Sequence, residues 1–132
     1  MSRIGLPLLL AAAVASCRWF GAGEGRPSAG EREAVRPVLA LLLAAREQDL
    51  ELFKSAYSMP LRVRLDRLGW ERMLRHYGQS FRRQFGDYSL DDFECSFEGD
   101  EARGQVTIVF KGQPLPPLSV VREGEAWKLD QL

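Results

Sequence analysis

The chain has 132 residues, which suffices for one ordinary domain and not for two. Hydrophobic residues make up 45% of it and charged residues 27%, a composition typical of globular rather than disordered proteins. Eighteen basic and eighteen acidic residues cancel. Nucleic-acid binding depends on many contacts between basic side chains and phosphates, so this neutral balance excludes a nucleic-acid partner.

The first sixteen residues have the pattern of a secretory signal. Arg3 supplies a positive charge, and the apolar run after it ends at Val14, too short to span a bilayer. Next comes Val14-Ala15-Ser16-Cys17, an aliphatic residue, two small residues and a cysteine, which resembles the lipobox of bacterial lipoproteins. The resemblance implies a lipid thioether on Cys17, cleavage directly before it, and acylation of the new amino terminus.

Two further features of this region bear on where the protein goes. Ala13-Val14-Ala15 is itself a cleavage site for ordinary signal peptides, so a secreted form with Cys17 as a thiol near its amino terminus stays an alternative. Arg18 follows the cysteine, at the position where aspartate retains lipoproteins in the inner membrane. The resemblance therefore implies a lipid-anchored protein of the cell envelope, with the outer membrane favoured.

The segment after the cysteine is predicted to be a tether. Trp19 and Phe20 favour a membrane interface, and residues 21–30 are rich in glycine, alanine and proline, which bury little surface. The chain is thus predicted to have three parts: a signal peptide at 1–16, a lipidated tether at 17–30 and a folded domain at 31–132.

Apolar residues at helical spacing predict three helices, at residues 31–48, 50–58 and 70–85. Pro37 either starts the regular part of the first helix or kinks it, and Met59-Pro60 closes the second. The third helix has the clearest apolar stripe, formed by Trp70, Met73, Leu74, Tyr77, Phe81 and Phe85. Arginines and the only histidine, His76, cover its opposite face.

After residue 86 the period changes to two, which predicts strands. Phe93, Cys95 and Phe97 mark the buried face of the first strand, and residues 104–110 form the second. Three prolines predict an irregular loop at 111–117, followed by strands at 118–122 and 126–132. Helices first and hairpin-linked strands afterwards predict an α+β fold, with the helices packed on one face of a curved four-stranded antiparallel sheet.

Residues 31–132 resemble the NTF2-like superfamily, also called cystatin-like or SnoaL-like. The resemblance is carried by the helix break at residues 44–49 leading into Phe53, by the long amphipathic helix before the sheet, and by the ending Ser119 to Leu129, an apolar strand, a glycine turn and a closing strand. It implies a cone-shaped domain whose function is not fixed by the fold, because this superfamily includes both enzymes and binding modules.

The favoured interpretation is a non-catalytic domain that binds a small apolar ligand or a protein partner. The candidate ligand-binding residues are Tyr57, Trp70, Tyr77 and Phe93. No cofactor is expected, and His76 lacks the companions that a metal site needs. A third possibility is an assembly role, in which the sheet forms the face of a homodimer.

The alternative is an enzyme of the isomerase or cyclase type with Asp91 as general base. If the first strand begins without a bulge, Asp91 shares the inward face of Phe93 and Cys95. Enolising members of the superfamily use such an inward carboxylate as the base. Desolvation would raise the pKa of that carboxylate. The competing interpretation is a residue at the start of the strand that caps a turn or reaches solvent.

The cysteines and the distribution of charged residues give two further expectations. With Cys17 lipidated, no internal disulfide is expected, and Cys95 is predicted to be a small buried hydrophobe of little reactivity; a reactive or intermolecularly paired thiol is the alternative. Residues 62–86 contain seven arginines, and residues 87–101 contain seven acids and no base. These are predicted to be solvated faces that partly neutralise each other, or else a basic face for anionic lipid or an acidic partner.

Overall fold

The computed structural model describes residues 28–132, so the signal segment, Cys17 and the tether up to residue 27 lie outside the described residues. The described part confirms the α+β class: four α-helices precede a four-stranded antiparallel sheet. The strands follow chain order, and the sheet is open, with its first and last strands at the edges.

The first helix, α1, covers Ala29–Glu47 and begins two residues inside the predicted tether. A capping box fixes its start: the Ser28 hydroxyl accepts the Glu31 N–H, and the Glu31 carboxylate accepts the Ser28 N–H. Pro37 lies inside the helix and is buried. One of the two expectations for Pro37, that the regular helix starts there, is therefore wrong.

The second predicted helix is shorter than expected, and a further helix that was not predicted follows it. Helix α2 covers Leu50–Ser55 and α3 covers Met59–Leu68. The prediction for residues 50–58 is wrong at its end, because residues 56–58 leave the helix to meet the sheet: the Ser58 N–H donates to the Leu129 carbonyl, and the Leu129 N–H to that of Ala56. Pro60 then occupies the first turn of α3, where its missing N–H costs nothing.

Helix α4 covers Trp70–Phe85, as predicted, and Gly86 ends it. A 3-10 turn at Leu90–Asp92 leads into the sheet. The strands are β1 Phe93–Gly99, β2 Arg103–Phe110, β3 Gln113–Glu123 and β4 Ala126–Leu129.

The predicted loop at 111–117 is wrong, because most of it is the first half of β3. That half pairs with β2, and a bulge lies between the Val106 and Ile108 pairings. Strand β4 pairs only with the second half, Val120 to Glu123, so the first half of β3 has no strand on its other side. Prolines are compatible with such an edge because their missing N–H groups need no partner there. Strand β4 is also shorter than the predicted 126–132.

The core lies between α1 and the sheet. Helix α1 packs against all four strands and against α2 and α4. Phe53, Leu65, Phe93, Val106 and Leu129 are among the fully buried side chains. A buried hydrogen bond also ties the helix layer to the chain before the sheet: the Tyr88 hydroxyl donates to the Leu42 carbonyl at 2.6 Å, and burial raises the pKa of Tyr88 to about 12.

Helices α1 and α4 are in contact, and Gly78 of α4 lies close to α1. The Gln48 side-chain amide spans the gap, donating to the Ala45 carbonyl at 2.8 Å and the Leu74 carbonyl at 3.1 Å. A Cβ at position 78 would collide with that amide and lie 3.2 Å from the Ala45 carbonyl oxygen. An alanine here would therefore displace the Gln48 amide and press on the Ala45 carbonyl.

We expect Gly78→Ala to lower the free energy of unfolding by about 1–2 kcal/mol, although alanine is the better helix former by about 1 kcal/mol. The new methyl group would expel the Gln48 amide and its two hydrogen bonds. Gly30→Ala is the matched control, since a Cβ there meets only the Ser28 hydroxyl at 3.8 Å. Urea unfolding of both variants measures the difference, and a Gly78→Ala protein as stable as Gly30→Ala would contradict the account.

The same clash predicts coupling between two positions. Gln48 has a positive φ of 56°, so Gln48→Gly removes the amide without straining the backbone. In that background Gly78→Ala should lose most of its cost. An undiminished cost would show that the amide does not set the helix spacing.

Candidate functional site

An apolar pocket of about 230 Å³ opens between α1, α4 and the first half of β3. Its lining is Val38, Leu41, Leu42, Tyr57, Tyr77, Phe81, Gln84, Phe85, Ile108, Leu115, Pro116, Leu118, Gln131 and Leu132. None of these lining residues has a side chain with a carboxylate, an imidazole, a thiol or an ammonium group. The pocket can therefore bind apolar groups, with only hydroxyl, amide and main-chain groups available for polar contacts.

Helix α4 forms one wall through residues spaced four apart. Tyr77, Phe81 and Phe85 recur once per turn, and their neighbouring ring centroids lie 5.6 and 5.7 Å apart. All three side chains are only partly buried. Leu115 and Leu118 of β3 stand on the sheet side. The apolar stripe of α4 thus covers the core along part of its length and lines an open space along the rest.

Tyr57 lies where the helix layer meets the edge of the sheet, in a bridge with Leu129 of β4. Its side chain is 1% exposed, and its hydroxyl has no hydrogen-bond partner at acceptable geometry among the described residues. Burial raises its pKa well above the usual tyrosine value, and the nearby Tyr77 hydroxyl raises it further. Burial also raises the pKa of Tyr77. Both hydroxyls therefore stay neutral, and the Tyr57 hydroxyl lies near that of Tyr77 without forming a hydrogen bond of good geometry.

Two of the four candidate ligand residues, Tyr57 and Tyr77, line the pocket, and two do not. Trp70 packs its ring edge against Phe53, with centroids 5.7 Å apart, and its indole N–H donates to Asp66 at 2.6 Å. Phe93 is fully buried among other aromatic rings.

Sequence reasoning placed Phe81 and Phe85 on the apolar stripe of α4 but did not consider them as ligand contacts. The signal was their helical spacing from Tyr77. That spacing identifies a face and does not show whether the face meets core atoms or an open pocket. The β3 residues were missed because their segment was predicted to be a loop.

Asp91 does not point into the pocket. It lies in the 3-10 turn before β1, is exposed, and is absent from the pocket lining. The strand begins at Phe93, so strand parity does not extend back to residue 91, and the inward-facing expectation is wrong. The neighbouring Asp92 has the local role instead: its carboxylate accepts the Ser89 N–H at 2.9 Å.

These two aspartates give a matched pair of variants. Asp92→Ala should lower the free energy of unfolding by about 1 kcal/mol, because the Ser89 N–H loses its acceptor. Asp91→Ala should change it by less than about 0.5 kcal/mol, as is usual for an exposed side chain. Chemical denaturation of both proteins measures the difference. A larger loss at position 91 than at position 92 would restore a structural or catalytic case for Asp91.

Cys95 is buried, as predicted, at 1% exposure between α1 and the sheet. It is disulfide-bonded, and the described residues contain no free cysteine. The expectation that the chain forms no internal disulfide is therefore wrong for this structure. The sequence has one other cysteine, Cys17, which lies outside the described residues.

Neither a metal site nor a membrane-spanning helix is found in residues 28–132. No three histidine, cysteine, aspartate or glutamate side chains there come together as a possible metal site, and His76 is exposed. None of the helices in this range is both long enough and apolar enough to cross a membrane. The outward face of the sheet exposes the polar residues Ser96, Gln105 and Thr107. These residues do not favour a dimer through this face, and the homodimer stays a prediction.

No family model, curated protein sequence or solved structure matches this chain. The resemblance to bacterial lipoproteins and to the NTF2-like superfamily therefore stays a prediction from the sequence.

Proposed function

We propose that the folded domain is a non-catalytic binding module for a small apolar ligand carrying one hydrogen-bond acceptor. The observation that carries this proposal is the apolar pocket whose lining includes Tyr57, a residue with a buried hydroxyl that has no well-formed hydrogen bond among the described residues. A protein side chain entering the pocket is the other occupant with the same chemistry.

The volume of the pocket limits the ligand. Ligand sites for drug-sized molecules usually measure about 300–1,000 Å³, and a cavity of about 150 Å³ accommodates benzene. The pocket of about 230 Å³ lies between these values. A single ring with a short substituent, or an aliphatic chain of similar volume, fits this range.

The buried hydroxyl indicates the polar part of the ligand. An unpaired buried donor costs about 1–3 kcal/mol, which a ligand acceptor would recover on binding. Because Tyr57 and Tyr77 stay neutral, they favour a carbonyl or ether oxygen and offer no charge to a carboxylate. The lining lacks an acid–base group that titrates near neutrality, which favours binding over general acid–base catalysis.

Two probes of similar size test this proposal. Acetophenone has a carbonyl acceptor and ethylbenzene has none. We expect both to shift the amide resonances of α4 and β3 in NMR titrations, and acetophenone to bind up to about tenfold more tightly. Tyr57→Phe should abolish that preference while ethylbenzene binds as before. Equal affinity of the wild type for both probes would contradict the role of Tyr57.

A pocket-filling variant gives the structural control. Leu115→Trp should abolish binding of both probes, because the indole would occupy the space beside Phe85 and Pro116. Thr107→Trp adds the same ring at an exposed position on the outward face of β2 and should leave binding unchanged. Undiminished binding to Leu115→Trp would show that the probes bind elsewhere.

We also propose that this domain belongs to the NTF2-like superfamily, with the helices and the sheet forming its cone. The order of elements supports this, since four helices precede the four-stranded meander. Helix α1 crosses all four strands, and the pocket lies between the helices and the sheet.

For location, we propose a lipoprotein of the cell envelope, anchored by lipid on Cys17 and directed to the outer membrane where the cell has one. Val14-Ala15-Ser16-Cys17 after a short apolar run supports this. One sulfur atom cannot carry a thioether and a disulfide at once. Lipidation at Cys17 and a disulfide with Cys95, the only other cysteine of the chain, are thus mutually exclusive states of the protein.

Metabolic labelling with an alkyne fatty acid separates these states. The wild type and Cys95→Ser should be labelled and partition into detergent, whereas Cys17→Ser should remain an unlabelled precursor. An unlabelled wild-type protein that begins at Ser16, or one that migrates faster without reductant, would favour the ordinary signal peptide with a disulfide.

A further inference from the structure

A groove of about 430 Å³ lies along the polar face of α4, beside the end of α1. The residues that line this α4 groove are Gln48, Arg75, Gly78, Gln79, Arg82 and Arg83. Three of the six are arginines, and the lining includes no acid. The groove is separate from the apolar pocket, because the two linings share no residue and the apolar pocket uses Tyr77, Phe81 and Phe85 of α4.

The spacing along α4 explains why these side chains come together. At about 100° per residue, Arg75, Gln79, Arg82 and Arg83 lie within about 100° of the helix circumference. Gly78 borders this arc, and its missing side chain leaves a recess there. Because Cα–Cβ bonds in a helix tilt towards its amino terminus, those of Arg82 and Arg83 lean towards this recess. The basic groups therefore surround one recess rather than the whole helix.

No carboxylate neutralises these arginines by direct contact. Within the described part of the chain, the three ion pairs involve Arg36 and Arg46, and none involves the arginines of residues 62–83. The expected partial neutralisation by the acids of residues 87–101 is therefore wrong for these arginines at the level of direct contacts. Helix α4 contains four arginines and one acid, Glu71, which does not line the groove.

Other negative groups near the groove already have partners. Glu47 and Asp87 both lie next to Arg46, at 3.0 and 3.9 Å from its guanidinium nitrogen atoms. The Gln48 side-chain amide donates to one carbonyl of α1 and one of α4. An anion in the groove would therefore meet unpaired guanidinium groups rather than unpaired acceptors.

The dipole of α4 accounts for only part of this charge. Arg82 and Arg83 lie in the last turn of the helix, where a positive charge is favourable. Arg75 lies about two turns earlier, where the dipole effect has faded, and it lines the same groove. The three arginines share the recess, which makes a bound anion the common explanation for them.

We propose that the α4 groove binds a phosphate monoester. A guanidinium group presents its N–H donors in a planar fork that matches the oxygen atoms of a phosphate. A carboxylate has a single charge, which one such fork can satisfy. A phosphoryl group has three terminal oxygen atoms and a charge of nearly −2 at neutral pH, so it can bind two or three arginines at once. The Gln79 side-chain amide can add a further donor.

This site goes beyond the proposed binding of an apolar ligand and does not depend on it. The groove is larger than a phosphoryl group and open to solvent, so it leaves room for the organic part of an ester. Soluble phosphate esters and the headgroup of phosphatidic acid share this chemistry, and the experiment below separates the two sources.

The test uses the full chain with Cys17→Ser, so that no lipid is attached. Glycerol 3-phosphate, glycerol and acetate are titrated at constant ionic strength, and the side-chain N–H resonances of Gln79 and of the arginines are followed by NMR. We expect glycerol 3-phosphate to shift these resonances saturably, glycerol to leave them unchanged, and acetate to bind at least about tenfold more weakly. These probes are too polar for the apolar pocket. Unshifted resonances, or equal affinity for acetate, would overturn the proposal.

Two pairs of arginine variants locate the site. Arg75→Gln with Arg82→Gln should weaken the binding of glycerol 3-phosphate at least about tenfold, because charge-assisted hydrogen bonds are lost. Arg64→Gln with Arg67→Gln removes the same charge from exposed positions of α3. It should change the affinity by less than about twofold, since salt screens distant charges. An equal loss in both pairs would show that net charge alone attracts the anion, and it would overturn the site.

Gln79→Glu tests the groove without removing an arginine. The new carboxylate would compete with the phosphate for the guanidinium groups, so we expect binding to weaken at least about tenfold. Gln105→Glu adds the same charge at an exposed position of β2 and should leave binding nearly unchanged. Full affinity in Gln79→Glu would overturn the proposal.

Vesicles identify the source of the phosphate. Phosphatidylcholine vesicles that contain phosphatidic acid should compete with glycerol 3-phosphate if the natural ligand is a lipid headgroup, and they should not compete if it is a soluble ester. Either result supports the site, provided that phosphatidylcholine alone does not compete. Competition by phosphatidic acid that persists in Arg75→Gln with Arg82→Gln would overturn it, because the vesicles would then bind elsewhere.

Discussion

The distance between α1 and α4 at Gly78 is the constraint on which the rest of the structure depends. At this point the Gln48 amide bonds to both helices, and the missing side chain of Gly78 leaves room for that amide between them. Helix α1 is also the element that covers all four strands. Fixing α4 against α1 therefore fixes α4 relative to the sheet, although α4 itself packs mainly on other helices.

The pocket follows from that arrangement. Helix α4 is close to α1 near Gly78, and its later residues Phe81 and Phe85 face β3 across an open space. Rings at those positions are large enough to narrow the space without closing it. An apolar pocket next to a tightly packed core costs contact energy in the empty protein, which a ligand of suitable shape restores. The unsatisfied Tyr57 hydroxyl adds a polar cost of the same kind.

Much of the fold could be predicted from the sequence, because periodicity reports which face of an element is buried. The alternation of Phe93 and Cys95 correctly predicted β1, and the apolar stripe of α4 predicted that helix with its observed bounds. The sequence pattern gave a wrong prediction where the same residues are compatible with two different structures. Met59-Pro60 fits the end of a helix and equally the first turn of another, and only the contact of residues 56–58 with Leu129 decides between them.

The site was less predictable for a related reason. Strand parity locates a side chain only once the first residue of the strand is known, and Asp91 lies just outside it. Whether Phe81 meets core atoms or empty space depends on the separation of α4 and β3, which is a property of the helix crossing rather than of either segment. The candidate Tyr57 was identified by residue type, but its missing hydrogen-bond partner is a feature of the tertiary structure alone.

The first half of β3 has a consequence for how the protein behaves at high local density. Its outer edge faces no strand, and an uncovered edge is ordinarily a template onto which another copy can add a strand. Pro114, Pro116 and Pro117 remove three amide donors from this stretch, so an incoming chain would find an interrupted ladder. A strand that resists such pairing allows this domain to be crowded without polymerising.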